Sequence, residues 1–191
     1  MNLYLRLLVA IVGAWRAPAL HHGETSECIY RVWPHDIDLF GHMNNGRYLQ
    51  IMDVARVDWM LRTGVIGAMR RNRWGAVLGG GVVRFRRSLK PMQRYRVRTR
   101  LVCWDDRWFY HEHTFLSLSD ECIAVGITRA ALRGGADWVM SDRVVGLVHE
   151  GAVSPPVPAY LAELLSAEEA MFRAGERIPR KLEEIGMEVC R

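Results

Sequence analysis

The stretch His35-Asp-Ile-Asp-Leu-Phe-Gly-His-Met-Asn-Asn-Gly-Arg-Tyr48 runs straight into an apolar segment that ends at Arg62, and the reading of this join decides the fold. From Gly46 to Arg62 the apolar residues, Tyr48, Ile51, Met52, Ala55, Trp59 and Leu61 among them, cover most of a helix's circumference. Such a helix must be buried on most sides. Thr63-Gly64 ends it, with Gly64 suited to a left-handed cap. In the loop before it, Asp36 and Asp38 stand two apart, so an extended backbone would project both to one side. Gly41 permits a sharp turn, and Asn44 or Asn45 can cap the helix. Acids, a histidine and backbone N–H groups at a helix start can bind, polarise and attack a carbonyl. The same residue types also serve as a capped turn that satisfies backbone groups.

Upstream, Glu27–Trp33 alternates loosely and reads as a strand. Downstream of a basic connector, Arg70–Trp74, the pattern turns to strands. Gly75–Arg86 is one, and Gly79-Gly80-Gly81 within it suggests a bulge or a close backbone approach, with room for a long ligand chain beside it. Tyr95–Trp104 alternates strictly, setting Arg94, Arg96, Arg98 and Arg100 on one face against Tyr95, Val97, Thr99 and Leu101 on the other. Four cations on one face repel each other and should find acids or anions. Asp105-Asp106-Arg107 is a hairpin turn, and Trp108–Leu118 and Cys122–Arg133 are further strands. Antiparallel hairpins after one long buried helix argue for an α+β fold. Gly134–Trp138 opens an irregular stretch, Ser154–Pro158 is a stiff linker, and Ala159–Arg173 is an amphipathic helix followed by a charged, loosely held tail from Glu176. Three segments are therefore expected: residues 1–24, a domain over 25–150, and 151–191.

A chain of 191 residues with half its residues hydrophobic and a quarter charged is ordinary for a globular protein with a real core. Its net charge of +5 suits a polyanionic partner, either nucleic acid or a phosphate-rich cofactor. Cys28, Cys103, Cys122 and Cys190 lack a Cys-x-x-Cys pairing and read as reduced, packed thiols of a cytoplasmic protein. Met1–Trp15 is apolar but interrupted by Arg6, and is shorter than the roughly 20 residues that span a bilayer. It is expected to form a helix that packs on the domain or makes peripheral contact with a membrane, ended by Ala17-Pro18-Ala19.

A strand, an Asp-x-Asp-x-x-Gly-His-x-Asn-Asn loop, one long buried helix and a run of antiparallel strands together resemble the hotdog-fold thioesterases of the 4-hydroxybenzoyl-CoA thioesterase-like superfamily. More narrowly, Gly41–Leu49, Arg87-Ser-Leu89, Arg96–Leu101 and Trp104-Asp-Asp-Arg107 resemble its thioesterase superfamily member 6-like branch. The resemblance covers roughly Glu27 to Arg133. It implies an antiparallel sheet of about five to six strands wrapped around one long central helix, here with additional N- and C-terminal helices. It also implies pairing of sheets into a homodimer or homotetramer, with hydrolysis of an acyl-CoA thioester near the subunit interface. No cofactor is implied beyond the coenzyme A of the substrate. Counting from the Asn-Asn and Tyr48, the position matching the family's acid is Asp38, as nucleophile or as general base. A non-catalytic acyl-CoA or lipid-binding protein at a membrane surface is the alternative. A hydratase is another, although the usual Pro-Gly-His of such enzymes is missing.

Beside Asp38, His42 could orient the acid, polarise the carbonyl or hold the turn. Asn44 and Asn45 read as caps that leave N–H groups for an oxyanion. Arg84, Arg86, Arg87 and Lys90 lie at the end of one strand and its following loop, where they could grip the coenzyme A phosphates or form a solvated edge. His111 and His113, two apart on one strand, could be metal ligands, but no third ligand is apparent and no metal is expected. Trp33, Trp59, Trp104 and Trp108 read as packing residues. No recognised nucleic-acid motif accompanies the basic charge, so no nucleic-acid partner is expected.

Overall fold

The computed structural model describes residues 3–176, so the charged tail read from Glu176 lies, beyond that first residue and with Cys190, outside the described residues. In chain order the elements are α1 (Leu3–Arg16), β1 (Ser26–Arg31), a 3₁₀ turn (Pro34–Asp36), α2 (Asn45–Arg62), α3 (Val65–Asn72), β2 (Trp74–Phe85), β3 (Arg94–Trp104), β4 (Phe109–Leu116), β5 (Cys122–Gly134), β6 (Asp137–Val139), α4 (Ser141–Gly146) and α5 (Ala159–Glu176). Contacts divide the chain into two units, residues 1–155 and 156–191. The second contains α5, an 18-residue helix with an Arg173–Glu169 pair one turn apart.

In the first unit a curled antiparallel sheet, in the order β1-β3-β4-β5-β2 with β6 added to β5, wraps around α2. This is the expected α+β hotdog arrangement. The pattern of α2 explains the wrapping: Tyr48, Ile51, Met52, Val54, Ala55, Asp58 and Trp59 are buried, and only Asn45, Gly46, Leu49 and Asp53 are exposed. Under the amino-terminal half of α2 the core is built by Tyr48, Ile51 and Met52 against Tyr95, Val97 and Phe115. A second cluster sits under its carboxyl-terminal half, where Trp59 meets Leu101, Trp104, Phe109 and Leu132. Each such side chain stabilises the fold by about 1.5–3 kcal/mol relative to exposure. Gly126 of β5 lets α2 approach this closely, because a Cβ there would stand 2.3 Å from the Met52 sulfur.

On β3 the alternation is as read: Tyr95, Val97, Thr99 and Leu101 are buried, and the arginines face out. Three of those four arginines find acids nearby. Arg96 and Arg98 share Glu27 and Asp120, and Arg100 pairs with Glu112. The tryptophans anchor elements: Trp59 donates from Nε1 to the Glu24 carbonyl at 3.0 Å, and Trp104 to Asp142 at 2.6 Å.

Three expectations are corrected. The basic connector is mostly α3: Gly64, at φ 83°, both ends α2 and lets the chain restart as a helix. The irregular stretch after Gly134 contains β6 and α4, of three and six residues, too short for periodicity to mark. A bulge does fall between Leu78 and Gly80, but the space at Gly79 is filled by the Trp108 indole, 2.2 Å from where a Cβ would stand, so it leaves no room for a ligand chain.

The amino-terminal helix packs on α2 through Arg6, Ala10 and Ala14, one turn apart. Its opposite face leaves Tyr4, Leu5, Leu8, Val9 and Trp15 exposed. No helix among the described residues is long and apolar enough to cross a membrane.

Candidate active site

The loop between β1 and α2 is a tight reversal held by its own backbone. Asp38 donates its N–H to the His42 carbonyl at 2.9 Å, Gly41 donates to the Asp38 carbonyl at 3.1 Å, and Ile37 bridges Met43. The reversal closes because Gly41 adopts φ 77°, which strains any residue with a Cβ. Asn44 then caps α2, its Oδ1 accepting the Gly46 N–H at 2.8 Å.

The two acids have separate surroundings. The 3₁₀ turn begun by Pro34 takes Asp36 out of an extended register and buries it completely. There it ion-pairs with Arg6 of α1 and accepts the Trp33 N–H at 2.8 Å, with the Arg47 Nε at 3.6 Å. Its carbonyl accepts the N–H of Asn44 at 2.8 Å, so the same residue ties α1, the loop and the helix cap together. Asp38 is half-buried, and its Oδ1 accepts the Phe40 N–H at 2.9 Å.

Asp38 opens on a groove whose lining includes His42, Asn45, Tyr48, Phe85, Arg86 and Arg87. Five of the residues read from the sequence as site residues thus meet at one groove: Asp38, His42, Asn45, Arg86 and Arg87. Asn44 sits beside it as the cap, and the exposed Arg84 and Lys90 lie outside its lining. His42 holds the turn with its main-chain oxygen, leaving the imidazole exposed at the groove. Tyr48 and Phe85 form an aromatic wall with centroids 4.9 Å apart, and burial pushes the Tyr48 phenol up to about 12. The amino-acid sequence marks Tyr48 as a core residue and as the landmark for counting to Asp38, and leaves Phe85 unmarked. An aromatic residue in the first turn of α2 was the available signal.

A second, apolar cavity lies along the carboxyl-terminal half of α2, lined by Trp59, Leu101, Phe109 and Leu132, with Arg56 and His111 at its polar spots. His111 and His113 are both buried. His113 bridges the Thr99 and Thr128 hydroxyls at 3.0 and 3.1 Å, whereas both ring nitrogens of His111 lack a hydrogen-bond partner. Burial, reinforced by Arg56, pushes His111 down to about 3, and burial with His111 and Arg56 holds His113 well below the usual histidine value. No third His, Cys or acid joins this pair among the described residues.

A family model described as the thioesterase-like superfamily matches residues 32–165. Protein THEM6 of Xenopus laevis is 39% identical over 126 residues, covering 65% of this chain and 59% of that protein. Protein THEM6 of Drosophila melanogaster is 43% identical over 86 residues, covering 44% of this chain and 45% of that protein. The chain spans about half the length of the curated relatives it matches. The solved structure of the probable thioesterase YbaW from Escherichia coli superposes with a TM-score of 0.60 at 14% identity, covering 65% of this chain and 96% of that one.

Proposed function

The chain belongs to the thioesterase-like superfamily, and from that premise we propose that it hydrolyses acyl-CoA thioesters with Asp38 as the acting carboxylate. The observation that carries this reading is the groove itself. A carboxylate, the amino-terminal end of an 18-residue helix and two guanidinium-bearing residues line one opening. Each has a task in the reaction. Asp38, oriented by the Phe40 N–H, attacks the thioester carbon or takes a proton from the attacking water. The start of α2 and the Asn45 amide stabilise the oxyanion that forms. Arg86 and Arg87 hold the coenzyme A phosphates through charge-assisted bonds. Arg84 and Lys90, on the same rim of the sheet, extend the positive field.

Nucleophile and base differ in where water oxygen goes. In a single turnover in heavy-oxygen water, label in the Asp38 carboxylate marks attack by Asp38 with expulsion of the coenzyme A thiolate and opening of the resulting anhydride at the Asp38 carbonyl, whereas base catalysis puts label only into the acid product.

The groove borders the free edge of β2, whose neighbourhood exposes Leu49, Leu78, Val82 and Phe85. A 12-residue strand paired on one side only, among the described residues, invites continuation by another strand. A second copy of the chain added at this edge would cover those side chains and wall the groove. Light scattering of wild type and Val82→Lys tests this, with loss of the dimer expected in the variant.

A membrane-contacting role has its own support in α1. The helix keeps its small residues and Arg6 inward and its large apolar residues outward. Co-sedimentation with liposomes, compared between wild type and a chain carrying Leu5→Ser, Leu8→Ser and Val9→Ser, tests it. Equal partitioning would assign that face another role.

A further inference from the structure

We propose that His21, His22 and His149 form a binding site for one divalent transition-metal ion of the zinc class, at the rim of the apolar cavity. The three rings come from distant parts of the chain. His21 and His22 sit in the connector between α1 and β1, and His149 follows α4. Each offers a ring nitrogen, and all three nitrogens lie within 4.8 Å of one another. Their ring centroids stand 4.0, 4.4 and 5.1 Å apart at tilted angles, so the imidazoles converge rather than stack.

A further observation points to a ligand. His22 Nδ1 and His149 Nε2 are buried with no hydrogen-bond partner, an arrangement that costs stability unless something fills it.

The backbone is already fixed on both sides. The His21–Glu24 turn is closed by main-chain and side-chain bonds of 2.9 and 2.6 Å, and Trp59 pins it through the Glu24 carbonyl. His149 is tied to Val145 at 2.8 Å. Three imidazoles and no thiolate suit zinc, copper, nickel or cobalt better than calcium or magnesium. Ligand nitrogens around tetrahedral zinc stand about 3.3 Å apart, so small ring rotations close the site. His22 also lines the apolar cavity, so the fourth coordination position, left for water or a ligand, opens beside it.

The test uses tag-free chain stripped with a chelator and titrated with zinc chloride in a calorimeter, and separately with cobalt and copper. Expected are one ion bound per chain with micromolar or tighter affinity and a visible cobalt spectrum of low coordination number. Copper should quench emission saturably, through Trp104, whose ring stands 5.5 Å from that of His22. His21→Gln and His149→Gln should each weaken zinc about tenfold or more. Because His21 is exposed, its variant keeps the fold and remains decisive even where His149→Gln unfolds. Absence of saturable zinc binding by the wild type, or binding unchanged in His21→Gln, would overturn the proposal.

Discussion

Removing Arg6 should destabilise the protein out of proportion to its place near the end of the chain. Arg6 is 3% exposed and Asp36 0% exposed, so their pair is desolvated. Breaking a buried pair by deleting one partner costs about 3–5 kcal/mol, chiefly the price of an uncompensated buried charge. For Arg6→Met the lower end applies, because Asp36 keeps the Trp33 N–H at 2.8 Å and Arg47 at 3.6 Å. For Asp36→Asn the upper end applies, because among the described residues Arg6 keeps only the Arg31 carbonyl at 3.3 Å as a hydrogen-bond acceptor. A loss of about 3 kcal/mol lowers Tm by about 6–12 °C in a domain of this size. Differential scanning fluorimetry and urea unfolding measure the loss. Hydrogen exchange localises it: α1 amides should exchange roughly a hundredfold faster as the helix releases. In a double-mutant cycle, Arg6→Met with Asp36→Asn should cost less than the sum of the two. A Tm change under about 2 °C for Arg6→Met, or additive effects, would refute the reasoning.

Acid should unfold the wild type partly through His111 and His113. Both are neutral in the folded chain, so below the unfolded histidine value of about 6.5 the unfolded state binds more protons, and stability falls at up to about 1.4 kcal/mol per pH unit for each. That contribution is intact above pH 6.5 and, for His111, is lost progressively down to about 3. Urea midpoints at pH 7, 6 and 5 should converge less steeply in His111→Phe, and an unchanged slope would contradict the assignment. Gly126→Ala, forced against Met52, should cost about 1–3 kcal/mol by urea unfolding. Arg86→Ala with Arg87→Ala should raise KM about tenfold for an acyl-CoA with kcat nearly kept, and leave KM for the matching acyl-pantetheine unchanged. An equal rise for both substrates would show that the arginines do not meet the nucleotide.

Elements with a long, regular pattern are legible in the amino-acid sequence. α2 is marked by apolar residues on nearly every side, and β3 by four arginines at every second position. Short elements are not legible: three residues of β6 and six of α4 offer no period, and α3 hides behind Gly64, which ends one helix and starts another. At the site, the loop's residue types name the groove's polar side and the family resemblance points to Asp38 as its acid, but nothing in the loop says what holds Asp36. Sequence distance is the reason. Asp36 is claimed by an arginine 30 residues away, and only the fold brings them together. A lone cation inside an apolar helix was the hint that a buried acid would be needed. The histidine cluster had no such hint, since His149 lies more than 100 residues from His21 and His22.

Thiol release from a panel of acyl-CoAs by wild type and Asp38→Asn tests the central claim most directly. Asp38 exchanges one side-chain oxygen for an amide nitrogen in this variant, while the remaining oxygen can still accept the Phe40 N–H, so the fold should hold. Turnover by the wild type on at least one chain length is expected, with kcat reduced about a hundredfold or more in the variant. Full activity in Asp38→Asn, or no release by the wild type on any acyl-CoA, would contradict it.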